Sequence, residues 1–227
     1  SNVKRTTDAW ELIRDPDIDV IVELVGGTTI AKEMVLGALE HQKDVVTANK
    51  ALLAAYGAEL FRTADRQGRK IHFEGAVGGG IPIIQTLYGG LASARIREIH
   101  AIINGTSNYI LTQMGEHGRS FETVLREAQK LGYAEMDPSY DVDGNDAAHK
   151  IVVLASICFG TAIPLEDVYT QGIRDITVED IRFGEKLGYR LKLLAIAKDL
   201  DGEVEVRVHP TFIPKSQLLA WVHGVFN

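Results

Sequence analysis

Between Gly132 and Lys150 the chain gathers Glu135, Asp137, Asp141, Asp143 and Asp146 and closes the run with a lysine. The next residues, Ile151 to Phe159, are apolar on every side. A helix without a polar face is a buried helix, so a helix is expected from about Asn145 to Phe159, entered straight from an acidic loop. Asp146 and Lys150 are four apart and share one face of it. Asp146 sits in the first turn, where the helix dipole favours an anion. A lysine held by a carboxylate at the mouth of a buried helix is a candidate proton donor and acceptor. Two plainer readings stand beside this one. The pair could be an ordinary i,i+4 salt bridge worth a few tenths of a kcal/mol. The loop could also bind calcium, but the nearest twelve-residue frame puts Ser139 first and Lys150 twelfth, where an EF-hand needs Asp and a bidentate Glu.

The elements that must position these residues fall into two patterns. A capping box at Asp8–Glu11 opens a short helix that stops near Asp15-Pro16. Asp19–Val25, Asp44–Thr47 and Lys70–Phe73 read as strands, alternating with helices at about Ile30–His41 and Ala51–Gln67, the second stopped by Gly68. That alternation gives a parallel βαβ sheet, whose ligands bind outside the carboxyl ends of the strands. Those ends carry Gly26-Gly27-Thr28, Thr47-Ala48-Asn49-Lys50 and Glu74–Gly80. After Gly80 the pattern changes. A helix with an early proline, Pro82, ends at Gly89-Gly90. A strand is expected at Arg95–Ile103, a turn with a Ser or Thr helix cap at Asn104–Ser107, and helices at Ser107–Glu116, Phe121–Leu131 and Ile176–Leu187. Tyr189–Ala197 and Glu203–His209 form a hairpin about Asp201-Gly202. The fold class expected is a partial Rossmann-like α/β domain over residues 1–74, then an α+β catalytic and dimerisation domain over 75–227 with a mixed or antiparallel sheet.

Composition excludes several functions. The 227 residues are 45% hydrophobic with a net charge of −7, which argues against a nucleic-acid surface. No apolar run reaches the roughly 18 residues of a membrane span, and no signal peptide is visible, so a cytoplasmic protein is expected. The single cysteine, Cys158, cannot form an intrachain disulfide and reads as a small core residue. Neither a G-x-G-x-x-G fingerprint nor a Walker A sequence is present. Ser1-Asn2 reads as a cloning remnant, and the chain stops at Phe226-Asn227 as if cut.

Ala128, Gly132-Tyr133, Asp137-Pro138, Asp141-Val142, Gly144, Asp146 and Lys150 together resemble the signature of the homoserine dehydrogenase family. Glu23–Gly27, Thr47–Lys50, Glu74–Pro82 and Asn104–Tyr109 agree with the same family, so the resemblance spans essentially the whole chain. Family members also carry an opening strand with a glycine-rich phosphate loop and a closing glycine-rich segment, and neither occurs here. The resemblance implies an oxidoreductase of threonine and methionine biosynthesis that interconverts aspartate 4-semialdehyde and homoserine with NADP or NAD. It implies Lys150 and Lys50 as acid–base candidates, with Asp146 as a further catalytic residue that holds Lys150. Glu135, Asp141, Asp146 and Lys50 would bind the substrate. Gly26, Gly27, Thr28, Asn49 and Lys50 would lie near the nicotinamide. Glu74, with the carbonyls of Val77, Gly79 and Ile81, would form a structural Na+ or K+ site, and the protein would be a homodimer. A non-catalytic amino-acid-binding or dimerisation fragment lacking the phosphate loop is the alternative. A semialdehyde dehydrogenase needs a thiolate nucleophile, which Cys158 in its apolar run is poorly placed to supply.

Overall fold

The computed structural model describes residues 3–225, so Ser1-Asn2 and Phe226-Asn227 lie outside the described residues. The chain divides into two compact units, residues 1–94 and 95–227.

The first unit opens with helix α1 (Ala9–Arg14), capped by the Asp8 side chain on the Trp10 amide. Strands β1 (Val20–Glu23), β2 (Asp44–Thr47) and β3 (Ile71–His72) form a parallel sheet in the order β1-β2-β3. Helices α2 (Thr29–Glu40) and α3 (Lys50–Gln67) connect them. Their apolar faces build the core: Ala31, Val35, Ala38 and Leu39 from α2 meet Leu52, Leu60 and Ala64 from α3 over Val45, Ile21 and Ile71. Gly68 stops α3 in the left-handed conformation, with φ 64°, as the sequence predicts. The outward residues of β1, Val20 and Val22, are 46 and 59% exposed, and Leu24 and Val25 just after the strand are exposed too. After β3, helix α4 is only one turn, Ile83–Gln85, with Pro82 at its N-cap; it runs into a π turn at Thr86–Gly90.

The second unit has a four-stranded sheet in the order β4-β6-β7-β5, with β4 at Glu98–Ala101, β5 at Tyr169–Thr170, β6 at Tyr189–Asp199 and β7 at Val204–Pro214. Its helices are α5 (Gly105–His117), α6 (Phe121–Lys130), the single turn α7 (Ser139–Val142), α8 (Asn145–Phe159) and α9 (Val178–Lys186). β6 is central and buried from Leu191 to Ala197; α5, α8 and α9 pack on it. Ile102, Leu194, Ile196 and Ile213 form a separate cluster with Leu219, Ala220 and Val222. Both the parallel sheet and the mixed sheet are of the expected class.

Three local expectations are corrected. β7 runs five residues past His209, pairing with β6 as far as Pro214 opposite Tyr189. Its prolines are tolerated because, among the described residues, β5 pairs with that edge only at Arg207 and Val208. β5 itself, two residues parallel to β7, was not anticipated and makes the sheet mixed. Cys158 is half-buried rather than a core residue, because α8 leaves the core at Ser156: within the apolar run only Ile151–Ala155 are buried, and Ser156–Phe159 are half-exposed. Burial still pushes its thiol up to about 11. Among the described residues, no helix is long and apolar enough to cross a membrane.

Candidate active site

Two clusters of sequence-predicted residues form, one in each unit. In the first, β1 ends on Glu23, which is 3% exposed. One of its oxygens accepts the Val25 and Gly26 amides at 2.9 and 3.0 Å, and the other accepts the Thr47 hydroxyl at 2.6 Å. The same Thr47 hydroxyl accepts the Asn49 amide at 2.9 Å. Asn49 then caps α3 through the Leu52 amide at 3.1 Å and donates to the Gly27 carbonyl at 2.7 Å. A buried carboxylate thus ties two strand ends and the glycine turn together. Gly26 and Gly27 have φ of 77° and 71°, and nothing lies within 4 Å of where a Cβ would stand on either. An L side chain is strained at such φ, so the turn keeps a bare, open backbone beside Asn49. Thr28 precedes α2, and Lys50 begins α3 and is half-buried. Gly26, Gly27, Thr28, Asn49 and Lys50 therefore share the carboxyl edge of this sheet.

In the same unit, each oxygen of Glu74 accepts one backbone amide, from Ile84 and from Gln85, both at 2.9 Å. Gly78 and Gly80 take φ of 67° and 83°. The Ile81 carbonyl accepts the Ile83 amide at 2.8 Å. Val77 is buried, and Gly79 and Ile81 are exposed. No cluster of three or more His, Cys, Asp or Glu able to hold a metal exists among the described residues.

In the second unit, Lys150 Nζ donates to Asp146 Oδ2 at 2.7 Å and to the Ile103 carbonyl at 2.8 Å. The Asp146 side chain is 6% exposed and that of Lys150 20%. This is a sheltered pair anchored to backbone, not the solvated i,i+4 bridge. Gly144, with φ 88°, turns the chain from α7 into α8 and so brings Asp141 beside Asp146. The remaining carboxylates of the loop go elsewhere. Asp143 pairs with Arg174, which also donates to Ser139 at 2.8 Å. Asp137 accepts the Ser139 amide at 3.1 Å. Glu135 is exposed, and its backbone carbonyl accepts from Gln129 at 3.1 Å. The structure therefore gathers Asp141, Asp146 and Lys150 and leaves Glu135 at the surface.

Asn104–Asn108, whose residue types predict a turn with a helix cap, complete the cluster. Asn104, not Ser or Thr, caps α5, accepting the Ser107 amide at 2.8 Å. The Thr106 hydroxyl reaches the Tyr133 carbonyl at 2.7 Å and Asp141 Oδ2 at 3.1 Å. Ser107 donates to the Asp141 carbonyl at 3.0 Å. A Cβ on Gly105 would strike the Val225 backbone, and Asn108 donates to the Gly224 carbonyl at 2.9 Å. The available signal was five consecutive small residues, four of them polar, where a plain turn needs two. Tyr140 belongs to the same surroundings: burial, then the charges of Asp146 and Asp141, hold its phenol protonated well above the usual range.

Comparison with known proteins also finds two parts, but they meet between residues 74 and 82, inside the first compact unit. The family model "Homoserine dehydrogenase" matches residues 82–227, and "Homoserine dehydrogenase, NAD binding domain" matches residues 1–74. A homoserine dehydrogenase of Neisseria gonorrhoeae is 53% identical over 97% of this chain and 51% of its own length. One from Pseudomonas aeruginosa is 50% identical over 98% and 51%. The crystal structure of a homoserine dehydrogenase from Thiobacillus denitrificans superposes with a TM-score of 0.94 at 50% identity, over 97% of this chain and 51% of that one. A hyperthermophilic archaeal homoserine dehydrogenase in complex with NADPH superposes at 0.82 and 30% identity, over 97% and 64%. The chain spans about half the length of the curated relatives it matches.

Proposed function

The chain belongs to the homoserine dehydrogenase family, and we propose that the full-length protein reduces aspartate 4-semialdehyde to homoserine with NADPH or NADH. The observation that carries this reading is the sheltered Lys150–Asp146 pair with Asp141 alongside. Reduction of an aldehyde leaves an alkoxide that needs a proton and a nearby positive charge. The Lys150 ammonium supplies both, and Asp146 with the Ile103 carbonyl fixes where it points. Asp141 receives the substrate ammonium, as a free amino acid needs an anionic partner. Glu135 is the second carboxylate proposed for that ammonium. Lys50, at the start of α3, is the second acid–base candidate and a substrate ligand.

The nicotinamide, when bound, supplies the hydride. The bare turn at Gly26-Gly27 fits close approach by a flat ring, and Thr28, Asn49 and Lys50 border it. The Glu74–Ile81 loop offers only hard oxygen donors and two glycines that can turn carbonyls inward. That chemistry fits a structural Na+ or K+ held by Glu74, Val77, Gly79 and Ile81. We place the enzyme in the cytoplasm as a homodimer.

The test follows nicotinamide absorbance with homoserine in the full-length protein. Turnover that Lys150→Ala abolishes supports the reading. Homoserine binding without turnover would instead favour an amino-acid-binding fragment, a reading that family matches over both units do not favour.

A further inference from the structure

We infer that Asn104 is a positioning residue that sets the spacing between the carboxylate holding Lys150 and the carboxylate receiving the substrate ammonium; this rests on the function proposed above. Asn104 is 5% exposed, and all of its side-chain hydrogen-bonding atoms are engaged. Its oxygen accepts the Ser107 amide, so its nitrogen cannot exchange places with it without facing an N–H donor. The nitrogen donates to Asp141 Oδ1 at 2.7 Å and to Asp146 Oδ2 at 2.9 Å. One amide group therefore spends one proton on each of two carboxylates that approach from different elements, α7 and α8.

Two adjacent carboxylates repel and drift apart or take up a proton unless donors sit between them. Lys150 answers for Asp146 alone, since its second bond goes to Ile103. Asn104 touches both carboxylates and caps α5 at the same time. Asp146 Oδ2 receives Lys150 and Asn104 together, so moving Asn104 also moves the ammonium. Asp141 accepts from Asn104 on one oxygen and Thr106 on the other, and a carboxylate has about four acceptor positions. Lone pairs remain on it for an incoming ammonium at a distance that the shared amide fixes.

Capping and bridging can be separated. Ser caps a helix about as well as Asn but is too short to span two carboxylates, so Asn104→Ser keeps the cap and loses the bridge. Asn104→Asp keeps the cap and the shape and replaces both donors with a third acceptor. In the full-length protein, Asn104→Ser is expected to raise the KM for homoserine by about tenfold or more and to lower kcat. The KM for the nicotinamide should stay near wild type, and the melting temperature should fall by only a few degrees, because the helix cap is kept while two buried carboxylates each lose one donor. Asn104→Asp is expected to lose more at neutral pH and to recover part of the loss as pH falls, because the new carboxyl, once protonated, donates one hydrogen bond again. Both variants holding homoserine KM and kcat within about twofold of wild type would overturn the inference. Carbon-13 shifts of the Asp141 and Asp146 carboxyls separate this from the functional reading. Shifts that move in Asn104→Ser while Asp180 stays fixed support the bridge even if wild type fails to oxidise homoserine; shifts that do not move refute it.

Discussion

Replacing Lys150 by Met keeps most of the apolar stem and removes the ammonium. The 2.7 Å bond to Asp146 and the 2.8 Å bond to the Ile103 carbonyl are both lost. Deleting one partner of a fully buried pair costs about 3–5 kcal/mol. Here Asn104 still donates to Asp146, and the lysine side chain is 20% exposed. A loss of about 1–3 kcal/mol, the range for stranding one buried polar group, is therefore expected. Domains of ordinary stability, about 5–15 kcal/mol, stay folded after such a loss. Turnover should fall by about 10²–10⁴, the usual contribution of a positioned acid–base group. Steady-state rates with saturating homoserine and nicotinamide, read beside a thermal melt, separate the two effects. Asp146→Asn should cost less alone, and the double variant should fall well short of the sum, because the two side chains share one interaction. Lys150→Met turnover within about threefold of wild type, in folded protein, would refute the proton-transfer role.

Other expectations follow from single contacts. Glu23→Ala strands the Thr47 hydroxyl and frees the Gly26 turn, so nicotinamide KM should rise about tenfold while homoserine KM changes little. Gly172→Ala would drive a Cβ into the Val142 carbonyl and Asp143 backbone, for a loss of about 1–3 kcal/mol seen as a lower melting temperature. Lys192 is 2% exposed, and burial, then the charge of Arg190, lowers its ammonium from 10.5 to about 8. Between those values the unfolded chain holds a proton that the native one has lost, so stability should rise with pH from about 8 to about 10.5. The gain is at most roughly 3 kcal/mol, because Asn108 Oδ1 and the Val222 carbonyl both accept from the charged amine. Melts across that window in wild type and Lys192→Met measure it; equal slopes would contradict the assignment.

What the sequence made legible was whatever repeats within one element. The unbroken apolar run after Lys150 announced a buried helix, and strand–helix alternation announced the parallel sheet. Asn104 was missed because its partners lie 37 and 42 residues away, and no local pattern encodes that approach. The five carboxylates of the acidic loop look equivalent in the sequence. The left-handed turn at Gly144 and the pull of Arg174 on Asp143 sort them, and both depend on the path of the loop in space. Two residues of β5 are too few to show a period. Leaving the core midway, as α8 does at Ser156, depends on how far its neighbours extend.

The bare outer face of β1 has a consequence for handling this polypeptide. A parallel sheet normally carries helices on both sides, yet Val20 and Val22 look outward and the strand is the sheet's edge. Among the described residues its far edge pairs with no strand, so its amides and carbonyls there offer a template on which an extended segment can zip up, greased by the two valines. Expressed by itself, this stretch of chain should form oligomers as its concentration rises, and a lysine at position 22 should keep it dispersed.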